Sequence, residues 1–193
     1  MKQKLTVELD AIHPDTYYSG QGLTNAEVIK TGLNLLVQQC HAASYNRGWW
    51  HDPITGMSLI PGAPDVDYDA SAADYDFALE QIQKAWFPYV IATKIALIHS
   101  EVSEGLEAYR VDATDDKINF PGITAEMGDA VIRIADLIGC LQWYHMNYPA
   151  LNDTGARVDA YDLGAAILAK LPVNAGRPDH DLAKRKEPGG KKF

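Results

Sequence analysis

Apolar positions return at helical spacing along most of the chain. Over residues 26–45, Ile29, Leu33, Leu36, Val37 and Cys40 recur every three or four positions, the signature of one buried helix face. Thr24 or Asn25 is placed to cap this helix, with Glu27 in its first turn. Gly48 breaks the pattern, and Trp49 and Trp50 follow. Residues 51–73 are rich in Pro, Gly, Asp and Ala and read as a long loop. A short helix is predicted over 74–86, and Pro88 then suits the first turn of a new helix running to 110. A loop at 111–121 leads to a second strong helix over 123–145, before Pro149. A last helix is predicted over 159–171, ending at Pro172. Only residues 4–9 offer an extended segment. The expected fold is all-α: a helical bundle of four to five helices in one domain, with a loop or insertion at about 51–86 and a tail at about 172–193.

Composition narrows the class. The chain has 193 residues, of which 47% are hydrophobic, enough for a sizeable core. Its net charge of -9 argues against a nucleic-acid surface, because phosphate backbones want Lys and Arg. No apolar run reaches the roughly 18 residues of a membrane span, and the first residues lack an apolar secretory core. A cytoplasmic location is expected. Two cysteines, Cys40 and Cys140, fit buried thiols in a reducing compartment. The acidity is uneven: residues 170–193 hold seven Lys or Arg against three acids. A solvated basic terminus and a tail that folds over an anionic ligand are both compatible with that bias.

Four acids carry the candidate chemistry. Glu101 and Glu104 lie three apart on one helix, and Glu126 and Asp129 three apart on the next. Residues at i and i+3 share a face, so each pair can present two carboxylates to one point. Apolar neighbours, Ile98 and Val102 on one helix and Ala130 and Ile134 on the other, turn these faces toward a core. Carboxylates beside a core need neutralising, and all-oxygen ligands favour Mg²⁺ or Mn²⁺ over zinc. Spacing alone leaves two solvated acidic faces as the alternative.

The wider context favours the metal. Glu101-x-x-Glu104, a linker of twenty-one residues, then Glu126-x-x-Asp129 resembles the MazG-like branch of the all-α nucleoside triphosphate pyrophosphohydrolases. The flanking runs from Ile95 to Arg110 and from Thr124 to Gly139 match the same pattern, as do Arg47-Gly48-Trp49-Trp50 and the ending from Asn174 to Phe193. The resemblance implies hydrolysis of a nucleoside triphosphate to the monophosphate and pyrophosphate, with two to three Mg²⁺ or Mn²⁺ ions. Glu101, Glu104, Glu126 and Asp129 would be the metal ligands and catalytic acids. It implies a role in nucleotide-pool control of the kind met in phages and bacteria. Residues 1–23 and 51–86 fall outside it.

The remaining assignments follow from position. Lys94, two turns before Glu101, and Asn174, Arg177, Lys191 and Lys192 in the tail region are candidates for phosphate contacts. Asp136, two turns after Asp129, would support a ligand or pair with Arg133. Asn34, Gln38 and His41 form a polar stripe that can read a base edge. Trp49 or Trp50 could stack on the ring, with packing in the core or in an oligomer as the alternative. Generous stacking area slightly favours a purine such as dGTP. The competing readings are a dUTPase- or dCTPase-like hydrolase of the same superfamily and a nucleotide-binding helical module without hydrolysis. A P-loop is absent, and neither core helix has the Glu-x-x-His of a di-iron bundle. Two helices with inward apolar stripes do not close a bundle alone, so a homo-oligomer is expected, a tetramer ahead of a dimer.

Overall fold

A computed structural model describes residues 24–62, 73–147 and 161–177. Within them the chain is all-α, with four helices: α1 (Asn25–Asn46), α2 (Ala73–Arg110), α3 (Gly122–Asn147) and α4 (Leu163–Ala175). None is long and apolar enough to cross a membrane. The predicted extended segment at 4–9 lies outside the described residues. Two compact units emerge, Leu36–Tyr161 and the pair Met1–Leu35 with Asp162–Phe193; the boundary falls inside α1.

Helix α1 starts where its sequence says it should. The Thr24 amide donates to Glu27 Oε2 at 2.7 Å, and the Glu27 amide donates to Thr24 Oγ1 at 3.2 Å. This reciprocal capping box satisfies two amides that a helix start leaves without partners. In the smaller unit, Asp162 caps α4 by accepting the Ala165 amide at 2.8 Å. Lys30 at 3.0 Å and Asn34 at 3.0 Å hold the same carboxylate. A Cβ on Gly164 would collide with the Lys30 backbone, so only glycine allows α4 to start so close to α1.

Two prolines depart from the expected breaks. Helix α2 is one continuous helix of 38 residues with Pro88 inside it, not two helices meeting there. Pro88 cannot donate to the Lys84 carbonyl, a loss that costs a helix interior about 3 kcal/mol. Packing on both sides outweighs that cost: Phe87 is buried, and Val90 and Ile91 pack against the same core. Pro172 likewise lies within α4, which continues to Ala175 and closes with the Gly176 amide donating to the Pro172 carbonyl at 3.0 Å.

The expected loop after α1 is partly core. Trp50, Ile60 and Pro61 are almost wholly buried, and Trp50 and Ile60 cluster with Phe87, Leu137 and Cys140. The turn between them is built by Asp52, whose Oδ1 accepts the Ile54 and Thr55 amides at 3.0 and 2.7 Å. Gln83 ties the loop to α2 by donating to the Ser58 carbonyl at 2.7 Å. After α2, the two-residue strands β1 (Thr114–Asp115) and β2 (Phe120–Pro121) pair antiparallel and turn the chain into α3.

Pro88 is exposed and interior to α2, so Pro88→Ala restores a backbone donor without opening a cavity. The variant should gain about 1–3 kcal/mol of stability, read as a higher melting temperature. A lower melting temperature would show that α2 depends on the proline's restricted backbone.

Candidate metal centre

The site is built by the contact of α2 with α3. Phe87 rings against Tyr144, Glu101 meets Arg133, and Gly105 lies against Met127. That reversed order of partners makes the two helices antiparallel. A Cβ at Gly105 would meet the end of the flexible Met127 side chain and the Glu126 Cβ, so α2 and α3 are in contact beside the two acidic pairs. Carboxylate oxygens of Glu101, Glu126 and Asp129 all lie within 4.8 Å of one another. Glu104 is exposed and turned to Ser100, whose hydroxyl donates to its Oε1 at 2.8 Å.

Charge crowding marks these acids. Glu101 is buried, and the Nε of Arg133 donates to its Oε1 at 2.6 Å. Arg133 also lies over the Trp49 ring, 5.0 Å from its centre. Burial first, and then the charges of Glu104, Glu101 and Asp129, raise the Glu126 carboxyl above the ordinary glutamate range; a hydrogen bond to Glu101 adds to the effect. Three carboxylate oxygens converging from two helices could hold a metal ion.

Beside the acids lies a cavity of about 300 Å³, lined by Ser44, Trp49, Asp129, Ile132, Arg133 and Asp136. Asp129 therefore belongs both to the carboxylate group and to the cavity wall. Asp136 is buried and does not pair with Arg133. Its Oδ1 accepts Trp50 Nε1 at 2.7 Å and His41 Nδ1 at 2.9 Å. A Cβ on Gly139 would collide with His41, so a glycine lets α1 settle against α3 at this level.

Trp49 is half-exposed on the cavity, whereas Trp50 is fully buried. Lys94 is directed at the turn that carries them: its ammonium donates to the Trp49 carbonyl at 2.7 Å and sits 4.1 Å from the centre of the Trp50 ring. Burial lowers its pKa, partly offset by the Asp136 charge. Gln38 is exposed on α1. Asn34 belongs to the smaller unit, where its amide donates to Asp162 and accepts the Gly164 amide at 3.4 Å. Asn174 and Arg177 close α4 in that unit, the Asn174 carbonyl accepting the Arg177 amide at 3.3 Å. Lys191 and Lys192 lie outside the described residues. Arg133 was not expected as the partner of Glu101, although its spacing of seven from Glu126 places it on the acidic face.

The raised pKa of Glu126 has a definite sign. A carboxyl whose pKa is higher in the folded chain stabilises the fold fully below its unfolded pKa, and that contribution disappears as pH rises through the folded value. In the presence of a chelator, Glu126→Gln should therefore melt higher than wild type at neutral pH. The gap should close as pH falls toward the ordinary glutamate range. Thermal denaturation of both proteins over a pH series checks this; a gap that widened on acidification would refute it.

No protein-family model, curated protein or solved structure matches this chain.

Proposed function

We propose that the protein hydrolyses a nucleoside triphosphate, with Mg²⁺ or Mn²⁺, to the monophosphate and pyrophosphate. The observation that carries this reading is the convergence of Glu101, Glu126 and Asp129 within 4.8 Å at the edge of a cavity walled by Trp49. Carboxylates alone would suit any divalent ion. Carboxylates beside an aromatic-walled cavity suit an ion that arrives with a phosphorylated ring compound. The ExxE and ExxD pairs, intact at all four positions, support the same conclusion.

Each side chain has a role it can fill from where it stands. Glu101, Glu126 and Asp129 hold the ion, and Glu104, one turn beyond Glu101, completes the acidic set. When bound, the ion supplies charge neutralisation at phosphate oxygens and activation of water. Arg133 fixes the Glu101 carboxylate and carries positive charge along the cavity wall. Trp49 offers an exposed ring face for stacking. Lys94 acts at one remove, holding the Trp49 backbone.

Release of pyrophosphate from the eight common ribo- and deoxyribonucleoside triphosphates tests the reaction. Glu101→Gln, Glu126→Gln and Asp129→Asn should each reduce kcat by about 100-fold or more while circular dichroism stays unchanged. Release of inorganic phosphate alone, or near-wild-type turnover in any two variants, would reject the assignment.

Self-association belongs to the same proposal. Ile123, Met127, Val131 and Ile134 form one stripe on α3, and Ile95, Val102, Leu106 and Tyr109 another on α2. All eight are at least 36% exposed, so Val102 and Ile134, expected on core-facing stripes, do not face a core within one chain. Exposed apolar stripes on two packed helices are the kind of surface that associates. A second copy of the same hairpin presents the same two stripes, and the pair closes a four-helix arrangement, as a dimer or within the preferred tetramer. Light scattering should return a multiple of 21.2 kDa, and Val131→Lys should shift it to the monomer. A wild-type monomer at micromolar concentration would exclude this assembly.

A further inference from the structure

Only half of the Asp136 carboxylate is used by the protein. The residue is 4% exposed. Its Oδ1 takes both donors, Trp50 Nε1 and His41 Nδ1. Among the described residues no hydrogen bond reaches its Oδ2. The buried side-chain atoms without a partner among the described residues are the His51 ring nitrogens, not Asp136 Oδ2, so this oxygen stays open to solvent, and Asp136 lines the same cavity as Asp129. Seven residues separate the two acids on α3, two turns along nearly the same face, or about 10 Å along the helix axis. A nucleotide spans a comparable length from its innermost phosphate to the far edge of its base. The Trp49 ring stands on the same wall.

We propose that Asp136 is the specificity-determining residue for the base, its Oδ2 accepting from a base edge that carries an exocyclic amino group. The inference rests on the nucleotide reading given above. An ionised carboxylate only accepts hydrogen bonds, so it selects bases by the donors they present. Guanine offers N1–H and the 2-amino group side by side, the best match to one free oxygen. Cytosine and adenine each offer an amino group. Uracil and thymine present one N–H flanked by two carbonyl oxygens, which would face the carboxylate with like partial charge. A buried polar group left without its donor penalises the wrong ligand strongly. The substrate class is therefore guanine, cytosine or adenine nucleotides, with uracil and thymine nucleotides rejected.

Two matched monophosphate pairs test this on the intact protein without requiring hydrolysis. dGMP differs from dIMP only by its 2-amino group, and dCMP carries a 4-amino group and an unprotonated N3 where dUMP carries a 4-carbonyl and an N3–H. Titrations with Mg²⁺ present, followed by tryptophan fluorescence, should give dissociation constants at least about tenfold lower for the amino-bearing member of each pair. kcat/KM for the triphosphates should show the same order. Asp136→Asn keeps an oxygen for Trp50 and His41 while turning an amide donor into the cavity. It should bring dUMP binding level with or ahead of dCMP. If dUMP matches dCMP and dIMP matches dGMP in the wild type, the inference fails whatever the variant does. An unchanged order in a folded Asp136→Asn protein overturns it as well. Discrimination among monophosphates without any pyrophosphate release would sink the hydrolase reading and leave the role of Asp136 standing.

Discussion

A carboxylate withdrawn from water must be matched by a cation, by donors or by its own proton. The larger unit of this protein is organised around that constraint. Glu101 on α2 is matched by Arg133 on α3, Asp136 by Trp50 and His41, and Glu126 by retaining its proton more tightly. Each solution also joins separate pieces of chain. The Glu101 pair links α2 to α3. The Asp136 bonds bring the end of α1 and the turn after it onto α3. Where compensation is incomplete, among Glu101, Glu126 and Asp129, the arrangement gains the capacity to hold a divalent cation.

The same accounting separates the acids by role. Glu101 and Asp136 are both buried, yet only Glu101 has a second carboxylate close by. Asp136 has donors instead, on one oxygen. One acid therefore belongs to a cluster in which negative charges repel, and the other to a cluster in which a single charge is held in place. Seven residues apart on one helix, Asp129 and Asp136 both line the cavity and give its wall two chemically different acids.

Much of this was legible in the sequence. Helical periodicity marked five helical segments, of which 74–86 and 88–110 form the single helix α2 and 159–171 is displaced to Leu163–Ala175, and Thr24, one of two expected caps, starts α1. The i, i+3 spacing of Glu101 with Glu104 and of Glu126 with Asp129 located the acidic face, although Glu104 is turned aside to Ser100. What escaped notice depends on distant contacts. Pro88 signals a helix boundary locally, and only the packing of Phe87, Val90 and Ile91 keeps α2 continuous. The stretch after Gly48 has loop composition, and nothing local shows that Trp50 and Ile60 close the core. The partners of Asp136 lie 95 and 86 residues away, beyond any spacing argument.

Trp49 and Trp50 are chain neighbours with opposite surroundings, one 52% exposed and the other fully buried. Displacing a buried tryptophan costs a core several kcal/mol, about 3–5 for its removal. The backbone that carries Trp49 is fixed at that cost, and Lys94 pins it again through the Trp49 carbonyl. A side chain on a surface turn ordinarily loses about 0.5–1.5 kcal/mol of conformational freedom when a ligand immobilises it. Here folding has already fixed the turn that bears the ring, so less of that entropy remains to be lost. The cavity wall thus borrows its rigidity from the core, through a residue that lies wholly beneath the surface.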